Sequence, residues 1–497
     1  MPWSLALDDS DLTVVPKVDI LLGGSEPMHL HRVLIPAIVV SIAIAAGISG
    51  AGQKAEERPE PGTARPASLA PKPPMGWNSF DSYCGHVKEN EVRAQADYMA
   101  RHLARYGWKY VVVDYYWYYP QPNFEGKNLD DMEAAMDEYG RLLPAPSRFP
   151  SAAGGQGFKP LADYIHSLGL KFGIHIMRGI PRQAVKKNYP IWGTSSHAGD
   201  VVDLRNPCSW SSAMNGVDTS KAAGQAYYDS IVALYAHWGV DYIKADDMSW
   251  AESPPAAETF HAGEIEALAK AISNCGRPIV LSLSPGPTDP SHAEFVRRNA
   301  QLWRISGDIW DNWKQVKEQF ERCRAWVTHV GPNHWPDADM LPLGRLSLRG
   351  FEEGERHSRL TNDEQTTLMT LWSIFRSPLM MGGDLPTLDA FTLFLLTNEE
   401  VLAVDQKSTG NHELFARGNH LAWSADVPGT PDKYLAVFNL ADNAPAEIAV
   451  SWRELGLGGK CAVRDLWQRK SLGLFADRFA PVIKPHAAGL YRIGPAR

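Results

Sequence analysis

Trp238-Gly-Val-Asp-Tyr-Ile-Lys-Ala-Asp-Asp247 is the stretch on which the reading of this chain turns. Ahead of it Tyr227, Ile231, Leu234 and Trp238 recur at helical spacing. Gly239 suits the left-handed position just past a helix C-terminus, and Tyr242–Ala245 is a short β-prone run. The run stops at Asp246, and an acid closing a buried strand is costly unless it faces a site. Two more joints have the same form: Tyr106-Gly-Trp-Lys-Tyr110 leads into Tyr110–Val113, and Leu168-Gly-Leu-Lys-Phe172 leads into Phe172–Ile176. Helix, glycine, strand, repeated, means crossover units on a parallel sheet.

Further strands are expected at Met75–Phe80, Pro278–Ser284, Leu302–Ile305, His334–Met340 and Pro378–Met381, with helices at Glu89–Tyr106, Ala256–Ser273, Asp311–Val327 and Asp363–Phe375. The tally predicts a (β/α)8 barrel. A doubly wound sheet is the alternative, but no GxGxxG follows the first strand and polar residues end nearly every strand. After about Asp405 short strand-like runs follow one another between turns (Leu421–Ser424, Tyr434–Asn439, Glu447–Ser451, Cys461–Asp465, Gly489–Arg492), which predicts an antiparallel β-sandwich.

The 497 residues are 44% hydrophobic, ample for two domains. The net charge of −8, with no basic stripe, excludes a nucleic-acid partner. Val33–Ile48 is apolar, follows His29, His31 and Arg32, and precedes Ser49-Gly-Ala51, the pattern of a secretory signal with Met28 as the start. A membrane anchor is the alternative, weakened by Pro36 and the short run. Export to the periplasm or medium is therefore expected, with no stable membrane insertion after cleavage. The expected organisation is a leader at 1–51, a Pro-rich tether at 52–72, the barrel at 73–405 and the sandwich at 406–497. The five cysteines are scattered without metal spacing and read mostly as small buried hydrophobes.

Barrel chemistry sits at the C-terminal strand ends. Those ends carry Trp77, Asp114 and Tyr115, His175 and Arg178, Lys244 and Asp246, Ser284, Arg304 and Asp308, and Asp337 and Asp339. Acids, two cations and aromatics in one ring suit an uncharged polyhydroxylated ligand. Asp246 and Asp308 form a carboxylate pair suited to acid/base and nucleophilic work on a glycosidic bond. Taken residue by residue, Lys244 has a second reading as an ion-pair partner of Asp246, and His175 reads equally as a core histidine or a contact. Asp247 reads as a supporting acceptor, Asp311 as the cap of the next helix, and Asp339 as a sugar contact or a loop cap.

Pro73-Pro-Met-Gly-Trp-Asn-Ser79, Asp241–Asp247, Trp303–Asp308, Trp335-Pro-Asp-Ala-Asp-Met-Leu341, Leu379-Met-Met-Gly-Gly-Asp384, Asn398–Gln406 and Val463-Arg-Asp-Leu-Trp467 resemble glycoside hydrolase family 27, the α-galactosidase and α-N-acetylgalactosaminidase family, from about Pro73 to the C-terminus. The resemblance implies an exported bacterial retaining exo-glycosidase with a barrel, a C-terminal sandwich, an oligosaccharide or glycoconjugate substrate and no metal or other cofactor. Asp246 matches the family's nucleophile and Asp308 its acid/base. Lys244 and Arg304 match residues that hold ring hydroxyls, Trp77 the aromatic lining the pocket, and Asp114 an acid gripping remote hydroxyls. Tyr115, His175, Arg178, Ser284 and Asp339 are the further candidate substrate contacts.

The departures are local. Members usually carry two adjacent aspartates after the second strand, for the axial and primary hydroxyls of galactose; here the second is Tyr115. The third strand ends His175-Ile-Met-Arg-Gly179 rather than Tyr-Ala-Asp, the cysteine pair beside the nucleophile is missing, with Met248 and Ser249 after Asp247, and Ser284-Pro-Gly-Pro287 lacks the family's substrate signature. Terminal α-D-galactosides are the leading expectation for the substrate. The alternatives are a β-L-arabinopyranoside, an α-N-acetylgalactosaminide or an isomalto-type α-glucoside. Of the other classes, a metal-dependent barrel enzyme lacks ligand spacing in the sequence, and a non-catalytic sugar-binding protein is disfavoured by the presence of both acids.

Overall fold

The protein is described by a computed structural model covering residues 68–121, 132–250, 259–349 and 354–496. The expected leader and residues 52–67 of the expected tether lie outside the described residues.

Eight parallel strands build the first domain: β1 (Met75–Asn78), β2 (Tyr110–Val113), β3 (Lys171–Met177), β4 (Tyr242–Trp250), β5 (Val280–Pro285), β6 (Leu302–Arg304), β7 (Trp335–Asp337) and β8 (Leu379–Met381). Their order is β7-β6-β5-β4-β3-β2-β1-β8. The ring closes where Leu341, just past β7, bridges Met381 in parallel. This is the barrel read from the sequence. The three glycine joints do what the pattern required: Gly107, Gly169 and Gly239 all sit at positive φ (105°, 76° and 88°). Each ends a helical segment in the left-handed conformation that a side chain would strain.

Helix positions agree in kind and shift at the ends. The segment expected as one helix over Glu89–Tyr106 is helical at Glu89–Tyr98, widens by one π turn over Met99–Leu103 and tightens at Ala104–Tyr106. The other three are found at Ala262–Asn274, Trp313–Trp326 and Asn362–Phe375; residues 256–258 of the first lie outside the described residues. Asp311 does not cap its helix. Asn312 does, accepting from the Lys314 amide at 2.9 Å. Asp311 is instead buried between Arg356 and Arg359, which satisfy both its oxygens.

Ser68–Lys72, expected as tether, packs under the barrel. Ala70 is buried, donates its amide to Asn333 Oδ1 at 2.8 Å, and accepts the Trp335 indole N–H at 2.8 Å. It shares an apolar cluster with Tyr110, Tyr242, Val280, Leu302 and Trp335, which open β2, β4, β5, β6 and β7. The segment therefore covers the N-terminal end of the barrel. The Pro-rich composition hid this, because the partners lie more than 260 residues away.

The second domain is a six-stranded antiparallel sheet, in spatial order β9 (Thr409–Arg417), β10 (His420–Asp426), β11 (Lys433–Asn439), β14 (Ala488–Pro495), β12 (Cys461–Asp465) and β13 (Lys470–Phe475), backed by two short ladders over its own core. It is fastened to the Asn362–Phe375 helix through Thr367 to the His486 carbonyl and Trp467 to Thr370.

Between β3 and the helix Ala222–Trp238 the chain makes a three-stranded antiparallel excursion of Ile180–Pro181, Val202–Pro207 and Met214–Val217. The sequence reading did not anticipate it. The turn that joins its last two strands is what brings Trp210 to the barrel mouth.

Candidate active site

A cavity of about 260 Å³ opens at the C-terminal end of the strands. It is lined by Phe80, Asp114, Tyr115, Trp210, Lys244, Asp246, Trp250, Pro285, Gly286, Gly307 and Asp308. The two carboxylates singled out from the sequence thus face one space, and exposure grades across it. The side chains of Asp114, Lys244 and Asp246 are 2%, 13% and 15% exposed, whereas Asp308 is 55% exposed. The first three form the floor and Asp308 stands at the mouth.

Asp246 ends the regular part of β4, where Met177 of β3 is its register partner. One carboxylate oxygen lies 2.9 Å from His175 Nε2 and the other accepts the Asp247 amide at 2.8 Å. Burial by itself would raise this carboxyl. The His175 hydrogen bond and charge, Lys244 and the Asp247 amide outweigh burial and hold Asp246 below the ordinary carboxylate range. Asp114, at the end of β2, is gripped by Asn78 Nδ2 at 2.6 Å, Lys244 Nζ at 3.1 Å and the Tyr115 amide at 2.9 Å. Against its burial, these partners and His175 keep it ionised well below the usual range. Lys244 is the reciprocal case: burial would lower its ammonium, and Asp114, Asp246 and Asp308 hold it above the ordinary lysine range.

Arg304, buried at the end of β6, pairs with Asp339 Oδ1 at 2.7 Å and Asp308 Oδ1 at 3.2 Å. Asp339 also accepts the Ile309 amide at 2.7 Å. Burial raises Asp339 in spite of Arg304. The backbone is strained around the cavity, with Tyr116, Asp247 and Asp339 at φ of 62°, 61° and 90°. Residues held in such conformations need surroundings that over-determine them.

Six expected contacts do not line the cavity: Trp77, His175, Arg178 and Ser284, and also Arg304 and Asp339, which form a buried pair. Trp77 is fully buried, donates its indole N–H to the Gly383 carbonyl at 3.0 Å and packs edge-on to Tyr83. The lining aromatic is Phe80, three residues on, because the chain leaves β1 at Asn78 and turns into a short helix that carries Phe80 over the cavity. Arg178 is 1% exposed and fully engaged behind the site. Its Nε donates to the carbonyl and carboxylate of Asp247, its Nη1 meets Glu264, and its amide donates to the Asp246 carbonyl at 2.9 Å. Arg178 therefore fixes the Asp246-Asp247 backbone and does not reach the cavity. Ser284 is buried and its hydroxyl has no protein partner, while the next two residues, Pro285 and Gly286, line the wall. His175 is also buried, and it touches the cavity only through Asp246.

Trp210 and Trp250 are lining residues that the sequence reading missed. Tyr115 is a fixed wall: its ring stacks on Tyr116 at 3.5 Å between centroids, meets His175 edge-on at 5.1 Å, and its hydroxyl donates to that of Tyr116 at 2.7 Å.

The family profile described as alpha galactosidase A matches residues 72–197 and 212–407, and that of the alpha galactosidase C-terminal beta sandwich domain matches residues 418–493. The chain belongs to glycoside hydrolase family 27. It resembles the crystal structure of a family 27 β-L-arabinopyranosidase from Geobacillus stearothermophilus with 49% identity and a TM-score of 0.83, over 86% of this chain and 97% of that one. An Asp-to-Ala variant of that enzyme in complex with arabinose aligns at 48% identity, TM-score 0.83, over 86% and 98%. Alpha-galactosidase 2 of Arabidopsis thaliana is 28% identical over 86% of this chain and 90% of its own. This family 27 protein is a glycoside hydrolase with the family's barrel and sandwich. Its profile match skips residues 198–211, the segment that delivers Trp210.

Removing Arg178 strands two buried carboxylates. Arg178→Met is expected to cost ~3–5 kcal/mol of stability, read from urea unfolding, with Arg178→Lys in between. A normally stable Arg178→Met with a raised KM would return Arg178 to the substrate.

Proposed function

We propose that this family 27 enzyme hydrolyses terminal glycosides with retention, Asp246 acting as nucleophile and Asp308 as general acid and then base. The observation that carries this is the pairing of an ionised, well-held carboxylate on the floor with a second carboxyl at the mouth. A nucleophile must sit under the anomeric carbon, unprotonated and fixed. Asp246 has both its oxygens engaged and a cationic flank. The acid must reach the leaving group and later admit water, and Asp308 is the exposed member. Asp114 and Lys244, both in the cavity lining, offer charged partners to ring hydroxyls.

For the sugar, we favour a β-L-arabinopyranoside over the α-D-galactoside that leads in the sequence reading. The two share ring configuration and differ by the hydroxymethyl group at C5. Family members usually carry two adjacent aspartates after the second strand for the axial and primary hydroxyls, and the second of the two is here Tyr115. Pinned by its stack on Tyr116, Tyr115 offers bulk and an aromatic face where a hydroxymethyl would need room and an ionised acceptor. The β-L-arabinopyranosidase named above supports the same choice. Arg178, a further candidate contact, is spoken for by Asp247 and Glu264, so Tyr115 carries the argument.

Asp246→Gly should abolish turnover while leaving the fold intact by circular dichroism, and azide should restore part of the rate on an aryl glycoside; near-normal activity would remove Asp246 from the mechanism. In the wild type the acid limb of kcat/KM should lie below the ordinary carboxylate range. A group held low stays ionised, and active, until the pH falls through its folded value, so Lys244→Met should move this limb to higher pH.

Tyr115→Asp should shift the ratio of kcat/KM for the α-D-galactoside over the β-L-arabinopyranoside upward by roughly ten- to hundred-fold, the worth of one hydrogen bond to a charged acceptor. An unchanged ratio would place the selectivity outside Tyr115.

A further inference from the structure

Residues 198–211 stand apart from the family profile, yet they dock at the centre of the site. The Asn206 carbonyl accepts from both Arg178 Nη atoms at 3.3 Å, and the Trp210 indole N–H donates to Asp247 Oδ1 at 3.1 Å. Cys208 is buried against Asp247 as well, and burial followed by the Asp247 charge pushes its thiol up to about 12. The segment is therefore anchored on the pair that holds the backbone behind Asp246. What it presents to the cavity is one large side chain, Trp210.

Trp210 is 43% exposed, although it lines the cavity and touches Tyr115 at 5.9 Å between ring centroids. Large aromatics half open to water are uncommon in this protein; most of its tryptophans are buried. Its single polar atom is already used by Asp247, so what is left open is apolar ring surface. It shares the high exposure of Asp308, the residue that must reach the departing oxygen, and not the burial of the floor residues that face the glycone. That shared exposure is the ground for setting Trp210 beside Asp308, toward the leaving group.

We propose that Trp210 is a specificity-determining residue for the leaving group. Its open face stacks on a ring, either a second pyranose with an apolar face or an aryl group, attached through the scissile oxygen. Its N–H bond to Asp247 sets the angle of that face relative to the nucleophile. A flat apolar surface at the mouth favours leaving groups that are rings over small or acyclic ones, since aromatic stacking rewards matched area. The inference rests on the retaining reading given above, but not on which sugar fills the floor.

The test keeps one glycone, whichever of the arabinopyranosyl and galactosyl series the wild type turns over faster, and varies only what leaves. The 4-nitrophenyl glycoside offers a ring; the glycosyl fluoride offers none, and its reaction with the same nucleophile needs no stacking. Trp210→Ala should lose about tenfold more kcat/KM on the aryl glycoside than on the fluoride. Trp210→Phe keeps a face and gives up the N–H, and should restore most of that difference. A disaccharide of the same glycone should follow the aryl substrate. Equal losses on aryl glycoside and fluoride in a variant with wild-type melting behaviour would overturn the proposal, leaving Trp210 as a support for Asp247. Failure of the wild type to turn over either series would instead count against the proposed function.

Discussion

Too many carboxylates in too little water is the constraint around which this barrel is arranged. Asp81, Asp114, Asp246, Asp337 and Asp339 are all buried near one another at the strand ends, with Asp308 above them. They cannot all be charged without cations. Lys244 and Arg304 enter the ring from β4 and β6 and are shared, Lys244 with Asp114 and Asp246, Arg304 with Asp308 and Asp339. Burial still wins at three of the acids and raises Asp81, Asp337 and Asp339, the last in spite of its pair with Arg304. Behind the ring a second balance, Arg178 against Asp247 and Glu264, is closed off from the cavity and keeps the first in place.

The barrel was legible because its signals are local. A helix stripe, a glycine in the left-handed position and a β-prone run fall within about twenty residues, and chain order then dictates the parallel ring. The acids at strand ends were legible for the same reason, since Asp246, Asp308 and Asp114 each follow an apolar run directly. Phe80 was missed by one helical turn. The motif that holds Trp77 is conspicuous, but which of two aromatics faces the mouth depends on where β1 stops, and composition does not say.

Arg178 shows what sequence cannot provide. At a strand end it has the form of a ligand contact. What makes it a structural residue is Glu264, 86 positions later on another helix. Ala70 with Trp335 and Asp311 with Arg356 are similar: each partner is too distant in sequence for a local pattern to announce it. Trp210 had no signal at all, since it lies in an irregular connection with neither period nor motif around it.

The packing of Ser68–Lys72 beneath the barrel sets a direction for the whole enzyme. Ala70 closes the end where the strands begin, and the cavity opens where they finish. Ser68, the first described residue, thus lies at the end away from the cavity. Immobilised by that end on a bead or a carrier protein, the barrel would present its mouth outward, toward polymeric or crowded glycans. A handle placed on the excursion that carries Trp210 would stand in the doorway.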